Sequence, residues 1–93
     1  MKTMSKKTAL IKLESSKVSK SSMAYKLTLA AINGQSIIRP CYTSGSGRFT
    51  KNMDYTYTTS CLLTEIGIEF EEGNDAPRGG ATGRFFKITT KIK

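Results

Sequence analysis

The sequence predicts an α+β fold, a small antiparallel β-sheet of about four to five strands with one short helix between two hairpins. Three observations carry this expectation. Apolar and polar residues alternate through 24–32, 68–71 and 85–92, the period of a half-buried strand. An Asn33-Gly34 step follows the first of these runs, as in a tight hairpin turn. Tyr55, Thr59, Leu62 and Ile66 recur at helical spacing and stop at Gly67, where a left-handed residue commonly ends a helix.

Taken in order, residues 1–7 read as a flexible basic tail and 8–93 as a single small domain. Ala9, Ile11 and Leu13 share one face of a first strand. The Ser/Lys-rich stretch 14–22 reads as a polar connection with Lys17 and Lys20 at its tip. Tyr25, Leu27 and Leu29 alternate with Lys26, Thr28 and Ala30, and with 36–42 they form the expected first hairpin. Pro40 cannot donate to a ladder, so this second arm lies at a sheet edge or ends there. Asn52 or Asp54 caps a helix over about residues 58–66, and Ile68 just past Gly67 packs back on its last turn. Ile68 and Phe70 alternate with Glu69 and Glu71, and Phe86 and Ile88 with Lys87 and Lys91. These two runs pair as a long-looped hairpin with the acids opposite the lysines. The expected core is Ile11, Leu13, Leu27, Leu29, Ile38, Leu62, Ile66, Ile68, Phe70, Phe86 and Ile88.

Charge is the strongest bulk signal. The chain carries a net charge of +8, and residues 1–51 hold ten basic residues against one acid, Glu14, whereas 52–93 hold five basic and six acidic. A one-sided field of this kind suits nucleic acid, an acidic protein or an anionic membrane surface, or a lysine-rich face kept for solubility. No stretch approaches the apolar length that crosses a bilayer, and the expected helix is nearly uncharged, so a membrane partner is not expected. Residues 8–13 are too short and too interrupted for the apolar part of a signal peptide, which gives a cytoplasmic expectation. Cys41 and Cys61 stand apart with no histidine anywhere. Two thiolates leave a zinc ion half-ligated, so both read as reduced, half-buried thiols.

The sharpest local pattern occurs twice: Gly47-Arg48-Phe49-Thr50-Lys51 and Gly83-Arg84-Phe85-Phe86-Lys87, each following a glycine-rich loop. Glycines let the main chain approach a flat or anionic partner closely, and the backbone amides of 78–82 carry few bulky neighbours. Neither loop is a nucleotide-cradling motif, since the second lacks the lysine-Ser/Thr ending and enters a strand. Catalysis lacks a positioned base, nucleophile or metal, and the Glu69, Glu71, Glu72 and Asp75 cluster has no calcium-loop spacing. No enzyme activity and no cofactor are expected.

The sequence therefore points to a non-catalytic nucleic-acid-binding protein. Its candidate contacts are Lys17, Lys20, Lys26, Arg39, Tyr42, Arg48, Phe49, Lys51, Arg78, Arg84 and Lys87. Tyr42, Phe49, Tyr55, Tyr57 and Phe85 beside basic loops suit single strands, held by stacking and backbone tracking. Arg48 and Arg84 have a competing use as partners of Glu71 and Glu72. Helix, strand, long glycine-basic loop and strand resemble the last part of a winged helix, which implies a wing touching phosphate or minor groove of a duplex. The helix-turn-helix that should precede the wing is missing from this reading, because 8–42 read as β. The alternative is a protein–protein module, an inhibitor of the viral or plasmid accessory type. It would bind an acidic partner or cover a nucleic-acid-binding groove. Edge strands ending at Pro40 and at the C-terminus also allow a homodimer.

Overall fold

The computed structural model describes residues 3–45, 47–76 and 83–93, with the backbone alone at Ser44 and Phe49. The fold is α+β, as expected, but among the described residues three helices replace the expected one. The first, α1 (Lys6–Ser15), follows β1 (Thr3–Met4), and α2 (Met23–Ile32) follows a serine-rich connection. Both correct a strand expectation. Ser5 and Ser22 supply the reason, because their side chains accept from the backbone N–H of Thr8 and Tyr25, three residues on, and so satisfy an orphan donor at each helix start. In α2 the buried residues are Ala24, Tyr25, Thr28, Ala31 and Ile32, a helical stripe that the alternation of 25–30 conceals.

Asn33-Gly34 then ends α2 instead of turning a hairpin. Gly34 has φ 111°, its N–H reaches Ala31 O at 3.1 Å, and the next N–H, from Gln35, reaches Ala30 O at 3.0 Å. The third helix, α3 (Thr56–Ile66), closes in the same manner. Gly67 has φ 95°, its N–H bonds Thr64 O at 3.1 Å, and Ile68 N–H bonds Leu63 O at 2.9 Å. This end matches the sequence reading; α3 starts two residues earlier than expected, with Asp54 Oδ1 accepting from Thr56 N–H at 2.9 Å.

The strands of the described residues form three small sheets. In the largest, β2 (Ile37–Ile38), β6 (Arg84–Ile88) and β5 (Phe70–Asn74) lie antiparallel in the order β2-β6-β5. Ile38 and Phe70 flank Phe86 and Ile88, and on the other face Glu71 stands opposite Lys87, the charge pairing read from the sequence. Of residues 36–42, Ile37 and Ile38 thus pair with β6, Cys41 and Tyr42 begin the next strand, and none pairs with 24–32. The chain from β2 to α3 instead forms its own hairpin, β3 (Cys41–Ser44) with β4 (Lys51–Asp54), where a loop was expected. A 3-10 turn, Gly47–Phe49, sits near its tip. Finally β7 (Lys91–Ile92) pairs in parallel with β1, so part of the stretch expected as a free tail is tied to the C-terminal strand. Lys6 N–H donates to Lys93 O at 2.7 Å there, and Met4 is buried.

One apolar cluster joins Leu13 of α1, Ala24, Ala31 and Ile32 of α2, Leu62, Leu63 and Ile66 of α3, Ile38 of β2 and Phe86 of β6. Leu27, Leu29, Phe70 and Ile88, expected inside, are half-buried against it, and Ile11 is 54% exposed. On a helix Ile11 points away from the stripe that Ala9 and Leu13 bury, which is why the strand reading placed it wrongly. No helix among the described residues is long and apolar enough to cross a membrane.

Candidate nucleic-acid interface

The first glycine-arginine-phenylalanine motif lies near the tip of the β3–β4 hairpin, a projection, and the second where the connection from β5 enters β6. Charge ties the base of the hairpin to the base of that connection. Arg39, just before the hairpin, donates through both terminal nitrogens to Asp75, just after β5, at 3.1 and 2.6 Å. Arg84, at the start of β6, approaches Asp54, the last residue of β4, at 3.7 Å. Each base thus gives one cation and one anion to the other. Both pairs are about half exposed, so each adds little stability, about 0–1 kcal/mol. Their consequence is positional.

Packing reinforces the junction. The Phe85 ring lies across Gly73, its cross-strand partner, so a Cβ at Gly73 would collide with it. The Arg39 guanidinium sits 5.8 Å from the centre of the same ring, within reach of a cation–π contact. Pro40 O accepts from Tyr55 N–H at 2.7 Å and closes the hairpin base, and Asp75 N–H donates to Gly83 O at 3.0 Å and closes the loop base. The first turn of α3 leaves directly from this junction, and Thr56, Glu72 and Arg84 line both shallow grooves beside it.

Asp75 is held below the usual carboxylate range, chiefly by its hydrogen bonds from Arg39. Asp54 is lowered as well, chiefly by hydrogen bonding from Thr56 and to a smaller degree by the charge of Arg84. A carboxylate whose folded pKa lies below its unfolded one contributes stability that is full above the unfolded value, about 3.9, and fades as pH falls through the folded value. The junction is therefore expected to hold unchanged from pH 7 to pH 5 and to loosen below about pH 4. Amide exchange at Asp75 and Thr56, followed across that range, checks this; protection that stays constant to pH 2.5 would contradict it.

The candidate residues divide into three groups. Arg39 and Arg84 are at the junction, engaged with Asp75 and Asp54 and not with Glu71 or Glu72. Arg48, in the 3-10 turn, and Lys51, at the start of β4, are exposed and make no ion pair among the described residues. Lys17 and Lys20 lie in the α1–α2 connection and Lys26 on α2. All three are exposed, and no hydrogen bond or ion pair links them to the junction. Lys87 stands on the outer sheet face opposite Glu71. The side chain of Phe49, and Arg78 with the loop centre at 77–82, lie outside the described residues.

Three of the aromatics are already occupied. Tyr42 and Tyr55 stack on each other at 6.1 Å, and burial raises the Tyr42 phenol, with Tyr55 adding to the shift. Phe85 is held between Gly73 and Arg39. Tyr57 stands out at 81% exposure. Of the cysteines, Cys41 is buried, Cys61 is exposed one turn beyond Tyr57, and both are free, which corrects the expectation of two half-buried thiols. The sequence reading missed the roles of Asp54 and Asp75 as arginine partners, because the pairs span 30 and 36 residues and depend on a hairpin it did not contain. Comparison with protein-family models, curated proteins and solved structures gives no match to this chain.

Proposed function

We propose that this chain is a small, non-catalytic nucleic-acid-binding protein that meets phosphate with the hairpin tip and the arginine-bearing loop. The observation that carries the reading is the reciprocal pair Arg39–Asp75 and Asp54–Arg84, which roots the hairpin and the base of the β5–β6 connection together at the start of α3. Two of the seven acids are consumed in that rooting, while Arg48 and Lys51 keep no internal carboxylate partner among the described residues. A chain of net charge +8 with uncommitted cations on a projecting ribbon has what backbone-phosphate binding requires. The 3.7 Å approach of Arg84 to Asp54 is loose enough for Arg84 to exchange that carboxylate for a phosphate.

Fluorescence anisotropy with single-stranded and duplex DNA and RNA, repeated from low to moderate salt, tests the proposal. Binding is expected for at least one probe class, with affinity falling steeply and log-linearly as salt rises. Absence of binding to every probe at low salt would overturn it and favour an acidic protein partner.

A further inference from the structure

We infer that the ligand is double-stranded DNA and that the solvent stripe of α3, formed by Tyr57, Thr58, Cys61 and Thr64, lies against base edges in its major groove. This rests on the nucleic-acid reading above and narrows it. The stripe is well defined. Residues 57, 58, 61, 64 and 65 are exposed, whereas Thr59, Leu62, Leu63 and Ile66 are buried against the core. The helix is firmly seated on one side and open along the other, and it carries no lysine or arginine.

The chemistry of stripe and flanks is divided as groove reading demands. Base edges are recognised by neutral donors, acceptors and small apolar groups, and phosphates by cations. The stripe supplies a phenol, a thiol and threonine hydroxyls and methyls. Thr64 Oγ1 spends its proton on Ser60 O at 2.8 Å, which leaves its oxygen as an acceptor. Cations sit outside the stripe, Arg48 and Lys51 on the hairpin that runs straight into α3, and Arg84, with Asp54 and Glu72, in the groove beside its first turn. Glu65 occupies the C-terminal end of the stripe, so the N-terminal half approaches DNA, with the positive end of the helix dipole leading.

Other nucleic acids fit less well. A single strand is held by several free flat rings in succession, and with Tyr42, Tyr55 and Phe85 already stacked or covered, Tyr57 is the one strongly exposed ring among the described side chains. Duplex RNA has a major groove too deep and narrow for a helix. B-form DNA admits one.

The test uses the full chain with a mixed-sequence DNA duplex of about 20 base pairs, its separated strands and the matching RNA duplex. The DNA duplex is expected to bind at least about tenfold more tightly than the other two, with guanine N7 in the major groove protected from dimethyl sulfate. Replacing Tyr57→Ala and Thr58→Ala together is expected to weaken duplex binding roughly 5- to 100-fold without changing the salt slope. Both side chains are exposed, and an unchanged melting curve shows that the variant folds. Equal affinity for single strands or duplex RNA, unprotected N7 in a bound duplex, or full affinity in the double variant would each overturn this inference while leaving nucleic-acid binding intact. Failure of every probe to bind would sink both.

Discussion

Phe86→Ala is expected to cost about 3–5 kcal/mol, the usual range for truncating a buried phenylalanine to alanine. The ring is 1% exposed, pairs across the sheet with Ile38 of β2 and Glu72 of β5, and packs on Phe70 at 4.7 Å. It is where the helical cluster and the sheet meet, so a cavity there separates the two layers. A domain of this size has roughly 5–14 kcal/mol of total stability, and the loss removes much of it. With a urea slope of about 1 kcal/mol/M, the unfolding midpoint followed by circular dichroism should fall by about 3 M or more. A fall of less than 1 M would mean that the ring's surroundings collapse onto the gap and that Phe86 is not the junction described here. The same change should also weaken binding at temperatures where the variant stays folded, because Arg84 stands two residues away on the same sheet face.

Much of the second half of the fold was legible in the sequence, and the first half misled for a definable reason. Gly67 and Gly34 follow apolar runs in the same way, and both adopt positive φ. After 55–66 the spacing is helical, so the glycine reads as a helix end. After 24–32 the same chemical signal reads as a hairpin turn, since a type I′ turn and a left-handed helix end both ask for Asn-Gly. The segment could not decide by periodicity, because α2 has apolar residues on nearly every side: Leu27, Leu29 and Ala30 besides its buried stripe. The serines at positions 5 and 22 were the discriminating signal, each a cap one residue before the first helical position. Recovering α1 and α2 also supplies helices ahead of the β5–loop–β6 unit, which the wing-like reading lacked. A strand and a hairpin nevertheless intervene before α3, so the order is not that of a simple helix-turn-helix. At the interface, the repeated Gly-Arg-Phe motif marks the hairpin and the entry to β6, but nothing local in the sequence marks Arg39 as bound to Asp75 or Asp54 as facing Arg84. Those pairings follow from tertiary topology alone.

Replacing Arg48→Ala and Lys51→Ala together is expected to produce a large loss of binding that leaves the fold untouched. Both side chains are exposed on the hairpin, with Lys51 opposite Ser44 at the end of the ladder, so stability should change by no more than about 0.5 kcal/mol. Each phosphate contact on B-form DNA contributes about 0.9 to the slope of log affinity against log salt. Two lost contacts should therefore flatten the slope by about 1.8 and, if affinities converge near 1 M salt, cost about 60-fold at 0.1 M. The paired change Lys17→Ala and Lys20→Ala is the informative comparison, since it removes the same net charge from the α1–α2 connection. A surface that attracts DNA through net charge alone would lose affinity equally from both double variants. If the hairpin itself touches phosphate, only the Arg48 and Lys51 change should flatten the slope by the full amount. Equal slopes for the two would leave the charge as a general attraction and remove the hairpin from the interface.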